Sequence, residues 1–310
     1  LARVRAIWPD VAALTPEEHE VAYFEIADLS DRPDLAGFDL VAISTYTAQA
    51  YEASALADRL RAIGQKVVIG GLHATQCPEE AKAHADAVIV GEAEGAWPVL
   101  LRDLEQGSLR PLYRANGLAD LSCSPVPRYD LLDVHRYNRI TVQTHRGCPH
   151  DFDFCGASKL YGKGYRQKPV SRVMREVDAV VARWKGAKGD KGPFIELADD
   201  NSFVNPEWTR EFLDAMAERG VQWFTETDVS VADDPGVLGR LFASGCRQVL
   251  IGLESASPEG LDGIDARNWK LKQLDKYRSG IDRIQKTGVT DNGTFIVGND
   301  GDTPDSFREV

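Results

Sequence analysis

Short runs rich in β-branched and other apolar residues recur through the first third of the chain, at 3–8, 20–26, 39–45, 66–71 and 86–91. Helical stretches separate them, which is the pattern of a parallel, doubly wound sheet. Between the third and fourth runs, 51–63 sets Ala55, Leu56, Leu60 and Ile63 on one face and Asp58, Arg59 and Arg61 elsewhere, predicting an amphipathic crossover helix. A further helix is expected from Pro78-Glu79-Glu80, where proline suits the first turn and the acids oppose the helix dipole.

The periodicity fades over 116–139, where Ser122, Ser124, Pro125 and Pro127 mark an irregular connector. A second βα series follows, with strands expected at 140–144, 194–198, 223–229, 249–253 and 295–297 and helices at 206–219 and 235–243. The expected organisation is therefore α/β throughout: a doubly wound domain over 1–115, a connector over 116–139, and a partial (β/α) barrel over 140–310. Five strands do not close an eight-stranded barrel, so the second domain is expected to be open or cut short at its C-terminal end. Asp291 and Asn299 stand where apolar residues are expected around the fifth strand.

A formal net charge of −12 repels phosphate backbones, and no basic stripe offsets it, which argues against nucleic-acid binding. No apolar run approaches the ~18 residues of a membrane span. The chain opens at Leu1 without a basic-then-apolar leader, and its five cysteines are an odd number for a disulfide framework. A reducing, cytoplasmic setting is expected. Cys77, Cys123 and Cys246 read as inert.

Chemistry concentrates directly after the first strand of the second series, in Arg146-Gly147-Cys148-Pro149-His150-Asp151-Phe152-Asp153-Phe154-Cys155-Gly156. Two thiols on one loop at a strand's C-terminal end suit an iron–sulfur cluster or zinc. The loop resembles the signature of radical S-adenosylmethionine (SAM) enzymes, C-x-x-x-C-x-x-C. Cys148 and Cys155 match its first and third cysteines, Phe152 stands at the second, and Phe154 matches the aromatic residue before the last cysteine. Further segments follow in the family's order: Tyr165-Arg166-Gln167-Lys168-Pro169, Asp199-Asp200-Asn201, Ser244-Gly245-Cys246-Arg247, Ile251-Gly252-Leu253-Glu254-Ser255 and a Gly298 to Thr303 turn.

The resemblance implies a [4Fe–4S] cluster held by Cys148 and Cys155, with one iron open to SAM. One electron passed to the sulfonium would then release a 5′-deoxyadenosyl radical, drawing on an electron donor such as flavodoxin or ferredoxin. It also implies SAM contacts from Phe154 and from the strand-end acids Asp199, Asp200 and Glu254. Taken alone, Asp200 and Asn201 would read as a turn and helix cap.

In the first domain, the third, fourth and fifth strands end in Ser44-Thr45, Gly70-Gly71-Leu72-His73 and Gly91-Glu92, all expected on one sheet edge. These loops resemble the cobalamin-binding domain that precedes the radical SAM domain in one class of the family. The axial-ligand motif D-x-H-x-x-G is absent; Asp133-Val134-His135 begins it but lacks the glycine. His73 is the remaining candidate, and a cobalt without a histidine ligand is expected. The resemblance implies methylation, ring formation or rearrangement at an unreactive carbon of a small molecule. Two alternatives stand beside it: a cobalamin-binding protein whose radical chemistry was lost with the cysteine at Phe152, and a zinc site pairing the two cysteines with His145 or His150.

Overall fold

The computed structural model describes residues 3–5, 9–25, 37–152, 154–161, 164–184, 192–265 and 267–309. The chain divides into two compact units, 1–133 and 134–310.

The first unit holds β1 (Arg3–Arg5), β2 (Glu20–Ala22), β3 (Leu40–Ser44), β4 (Val67–Gly70), β5 (Ala87–Val90) and β6 (Leu112–Arg114). They form one sheet in the order β2-β1-β3-β4-β5-β6, with every pair parallel. Helices cover both faces, which is why the central strands read as unbroken apolar runs rather than alternating ones. Val41 and Ile43 pack with Leu56 and Leu60 of the helix Ala50–Ala62. Leu40 and Ala42 pack on the opposite face with Trp97 and Leu100 of the helix Trp97–Glu105.

The structure corrects the sequence reading in three places here. The buried stripe of Ala50–Ala62 is Ala53, Leu56, Ala57 and Leu60, while Ala55 and Ile63 face solvent. Residues 72–76, read as loop, form a short helix that leads into Pro78–His84. The sixth strand was not anticipated, because three residues at a sheet edge are too few to show a period. Positions 6–8 and 26 of the expected first and second strands lie outside the described residues.

The second unit holds β7 (Ile140–Val142), a short antiparallel pair β8 (His145–Arg146) and β9 (Arg166–Gln167), then β10 (Phe194–Leu197), β11 (Gln222–Thr227), β12 (Cys246–Glu254) and β13 (Thr290–Phe295). Its main sheet is parallel in the order β13-β12-β11-β10-β7. These five parallel strands, with helices between them, are the (β/α) order expected of a partial barrel.

The two helices expected from the sequence start where it signals them; the first also stops there, and the second stops at Leu241, two residues short of the expected end. Asn205 caps Pro206–Arg219 by accepting from the Trp208 amide at 3.3 Å, and Gly220 ends it in the left-handed region at φ 63°. Asp234 caps Pro235–Leu241 through the amides of Gly236 and Val237.

The fifth strand of this sheet departs from expectation. It runs over 290–295 rather than 295–297, because an exposed edge strand can carry Thr290, Asp291, Asn292 and Thr294, which hydropathy does not register as a strand. Asp291 is not a buried orphan: it accepts from Gln285 Nε2 at 2.6 Å. Asn299 lies past the strand and donates its amide to Asp302 Oδ2 at 2.9 Å. Among the described residues no helix is long and apolar enough to cross a membrane.

Candidate cofactor sites

Because its strands are parallel, the second sheet gathers the C-terminal ends of β7, β10, β11 and β12 along one edge, where α/β sheets place their ligands. The cysteine loop leaves β7 at that edge and is pinned from beneath by Asp199, at the end of β10. Asp199 accepts from Thr144 N at 2.8 Å, Thr144 Oγ1 at 2.5 Å, His145 N at 3.3 Å and Ser202 Oγ at 3.1 Å. Its carboxylate also lies 3.4 Å from His145 Nδ1, with both side chains fully buried. Burial alone would raise the Asp199 carboxyl, but His145 and the Thr144 hydrogen bonds outweigh it and hold it below the usual range. Asp199 therefore positions the loop and has no face left for a ligand. Asp200 beside it makes no hydrogen bond among the described residues and stays accessible; desolvation first, and Asp199 second, push its carboxyl up against the opposing pull of His145.

A second anchor is Asp228, immediately after β11, which sequence reasoning missed although an acid at a strand's C-terminal end was the signal to look for. Its Oδ2 lies 3.2 Å from His150 Nε2 and 2.7 Å from Asn201 Nδ2, and its Oδ1 accepts from the Ser230 amide at 2.8 Å and from the Ser230 hydroxyl. Asn201 thus ties two strand-end loops together instead of capping a helix. Burial would raise the Asp228 carboxyl, but the bonds from His150, Ser230 and Asn201 hold it down at about 2. Its stabilising contribution is therefore complete above the ordinary aspartate range and lost as pH falls through about 2. Replacing Asp228 with Asn should remove on the order of 2 kcal/mol of acid-dependent stability, measured as a flatter unfolding free energy between roughly pH 4 and pH 2.

Between these anchors Cys148 is buried and Cys155 half-buried. Desolvation pushes the Cys148 thiol up to about 11, with Asp200, Cys155 and Asp228 adding to it against an opposing hydrogen bond from the His150 backbone. Phe152, at the middle ligand position, is 9% exposed. It forms an isolated bridge with Asp265, stacks on Phe154 at 5.5 Å, and has the Lys270 ammonium 5.5 Å from its ring centroid. Phe154 itself is 47% exposed.

Among the described residues, no carboxylate, imidazole or third thiol lies close enough to Cys148 and Cys155 to complete a metal site. Asp153 lies outside the described residues. The residues present supply two of the three thiolates that a cluster of this kind uses, and an apolar ring in place of the third does not fit it. The zinc alternative fares no better, since His145 and His150 are turned to Asp199 and Asp228.

Glu254 ends β12 with φ 66°, a left-handed backbone that non-glycine residues adopt at a cost. Its carboxylate folds back over Gly252, where a Cβ would collide with Oε1. Lys270, buried to 3% exposure and also missed from the sequence, approaches Glu254 Oε1 to 3.4 Å and donates to the Gly252 carbonyl. Asp265 holds Lys270 in place by accepting from the amides of Arg267, Trp269 and Lys270.

In the first unit, β3, β4 and β5 end on a common edge. The loops there are packed against each other: Thr45 donates its amide to Gly70 O at 3.2 Å, and His73 donates its own to Thr45 O at 3.3 Å. Gly71, at φ 94°, is required because a Cβ would come within 2.9 Å of both Ser44 Oγ and Thr45 O. Thr75 Oγ1 accepts from Gly91 N at 3.0 Å and donates to Gly71 O at 2.9 Å, joining the fifth-strand loop to the fourth.

Not every expected contact faces outward. Thr45 is buried with its hydroxyl on Tyr46 O, Glu92 accepts from the Ala119 amide at 2.6 Å, and His73 is buried. What remains accessible is a shelf of Ser44, the Gly70-Gly71 backbone and the exposed backbone of Gly91. A shelf of backbone and hydroxyl groups fits a broad ligand decorated with amides.

The family model described as the B12 binding domain matches residues 5–101, and that described as the Radical SAM superfamily matches residues 142–310. The chain is 30% identical over 297 residues to bacteriochlorophyllide d C-12(1)-methyltransferase of Chlorobaculum tepidum, spanning 92% of this chain and 64% of that protein. Its fold superposes on OxsB, a cobalamin-dependent S-adenosylmethionine radical enzyme with aqua-cobalamin bound, with a TM-score of 0.79 at 15% identity, covering 100% of this chain and 51% of OxsB. It also superposes on the radical S-adenosylmethionine methyltransferase TsrM of Kitasatospora setae, with cobalamin and a [4Fe–4S] cluster bound, at a TM-score of 0.76 and 16% identity, covering 99% and 69%. The chain thus spans between half and two thirds of the length of most of these proteins. With a B12-binding domain ahead of a Radical SAM domain, the chain belongs to the cobalamin-binding branch of the radical SAM superfamily.

Proposed function

We propose that this chain is the cofactor-binding part of an enzyme that methylates an unreactive carbon of a small molecule, using cobalamin and SAM. The observation that carries the reading is the cysteine loop leaving β7 on the same sheet edge as Asp200, Asp228 and Glu254, in a unit preceded by a B12-binding domain. The curated relatives include methyltransferases for bacteriochlorophyllide d and a hopanoid C-2 methylase of Rhodopseudomonas palustris at 24–30% identity over more than 90% of the chain, against a magnesium-protoporphyrin IX monomethyl ester cyclase at 21% over 68%, which supports carbon methylation over ring formation.

In this reading Ser44, Gly70, Gly71 and Gly91 hold cobalamin, Thr45 and Glu92 brace the loops behind them, and cobalt takes no histidine. Phe154 offers its exposed ring to the adenine of SAM, Asp200 offers an unpaired carboxylate, and Lys270 orients Glu254 for the same ligand. Cobalamin supplies the methyl-carrying chemistry when bound; this chain's own residues bind, orient and exclude water. An electron donor such as flavodoxin or ferredoxin and a cytoplasmic setting complete the proposal.

A second reading rests on Phe152 alone: a cobalamin-binding protein in which radical chemistry is lost. Both readings require cobalamin. Hydroxocobalamin incubated with the chain and passed through gel filtration should co-elute at about one per chain, with an absorption spectrum free of imidazole ligation. Elution of colourless protein would remove both.

A further inference from the structure

We infer that His73, Cys77 and Glu80 form a zinc site on the flank of the first unit. His73 lies in the short helix Leu72–Gln76, Cys77 is the junction residue, and Glu80 lies in the first turn of Pro78–His84. The ligand atoms of the three residues all fall within 4.8 Å of one another. His73 Nε2 and Glu80 Oε1 are already 3.5 Å apart, which is about the spacing of two donors around a tetrahedral zinc with bonds near 2.0–2.3 Å.

The independent observation is the state of His73. It is only 7% exposed, and neither ring nitrogen has a hydrogen-bond partner. A buried imidazole whose Nδ1 has no partner and whose Nε2 faces only the Glu80 carboxylate, too far for a good hydrogen bond, is costly in a folded protein. Coordination of Nε2 to a cation would satisfy that nitrogen. Cys77 is a free thiol on the exposed side, so it can swing in without disturbing the core.

One imidazole, one thiolate and one carboxylate make the borderline-soft donor set that suits Zn²⁺, with water in the fourth position. On binding, the Cys77 thiol releases its proton to solvent. The ion would staple the two short helices together directly behind Gly71, whose loop Thr45 and His73 already tie to β3. The site is independent of the cobalamin and SAM reading: its failure would leave that reading intact, and loss of cobalamin binding would not touch it.

The test is a titration of the chelator-treated full chain with Co²⁺ as a spectroscopic stand-in for Zn²⁺. The Cys148→Ser/Cys155→Ser double variant removes the other loop thiols from the reading. In that background we expect a thiolate-to-cobalt charge-transfer band saturating at about one equivalent and displaced by Zn²⁺. Adding Cys77→Ser should abolish the band, and Glu80→Gln should weaken binding at least about tenfold. Zinc should raise the melting temperature of the double variant and not of the variant that also carries Cys77→Ser. No band in the double variant, or a band and a zinc shift that survive Cys77→Ser, would overturn the site. Cys77 is exposed, so its serine variant folds whatever the outcome at His73.

Discussion

Replacing Phe152 with Cys should raise the iron and sulfide retained after anaerobic reconstitution to about four each per chain, against a labile, substoichiometric amount in the native chain. The prediction follows from the geometry of the loop. The Asp199 and Asp228 networks anchor the loop through Thr144, His145 and His150, and neither acid bonds to residue 152, whose backbone carbonyl already accepts from the Cys155 amide at 3.1 Å. A thiolate at 152 would enter a scaffold already in place. The substitution also removes a ring buried against Phe154 and near Lys270, so the apo variant should lose roughly 1–3 kcal/mol of stability before any iron is added. Metal content and unfolding free energy thus move in opposite directions. An iron content unchanged from the native chain would mean that this loop is not the cluster site.

The second large effect is expected at Asp199. Asp199→Ala leaves the Thr144 amide and hydroxyl, the Ser202 hydroxyl and a buried His145 without their acceptor. Breaking a buried charged network from one side costs about 3–5 kcal/mol. The unfolding midpoint in urea should fall accordingly, and Asp199→Asn, which keeps the shape and part of the acceptor capacity, should lose less. Asp200→Ala, one residue on, should leave the midpoint within about 0.5 kcal/mol and weaken SAM binding instead. Equal destabilisation by both would refute the division of labour between the two acids.

The neighbouring acids also show where the sequence was informative and where it was not. Both stand at the end of a strand, so position alone assigns both to the ligand. Only the three-dimensional pairing with Thr144 and His145, more than fifty residues earlier in the chain, separates the positioning acid from the accessible one. Parallel strands buried on both faces were legible because they carry continuous apolar runs. Strand β13 was not, because an exposed edge strand needs no hydrophobic face. The Leu72–Gln76 helix escaped because five residues following Gly-Gly carry no period.

Lys270 was hidden for a different reason. A lysine flanked by Trp269 and Leu271 reads as a surface position on an amphipathic helix, and its burial follows only from Glu254, whose left-handed backbone turns a carboxylate under the strand end. The three loops of the first unit end on one edge as expected, but Thr45 and Glu92 spend their polar groups on neighbouring backbone, and the His73 ring is buried. Residue type and position do not reveal which way a side chain turns when the alternatives are a ligand and a neighbouring loop.

The most direct test of the account is the electron paramagnetic resonance spectrum of the reduced, reconstituted Phe152→Cys chain recorded with and without SAM. If the loop is a SAM-binding cluster site short of one thiolate, the variant should give a reduced-cluster signal that SAM shifts, while the native chain gives at most a weak one. A variant cluster indifferent to SAM would contradict it, and a full native signal would remove the reading in which radical chemistry is lost.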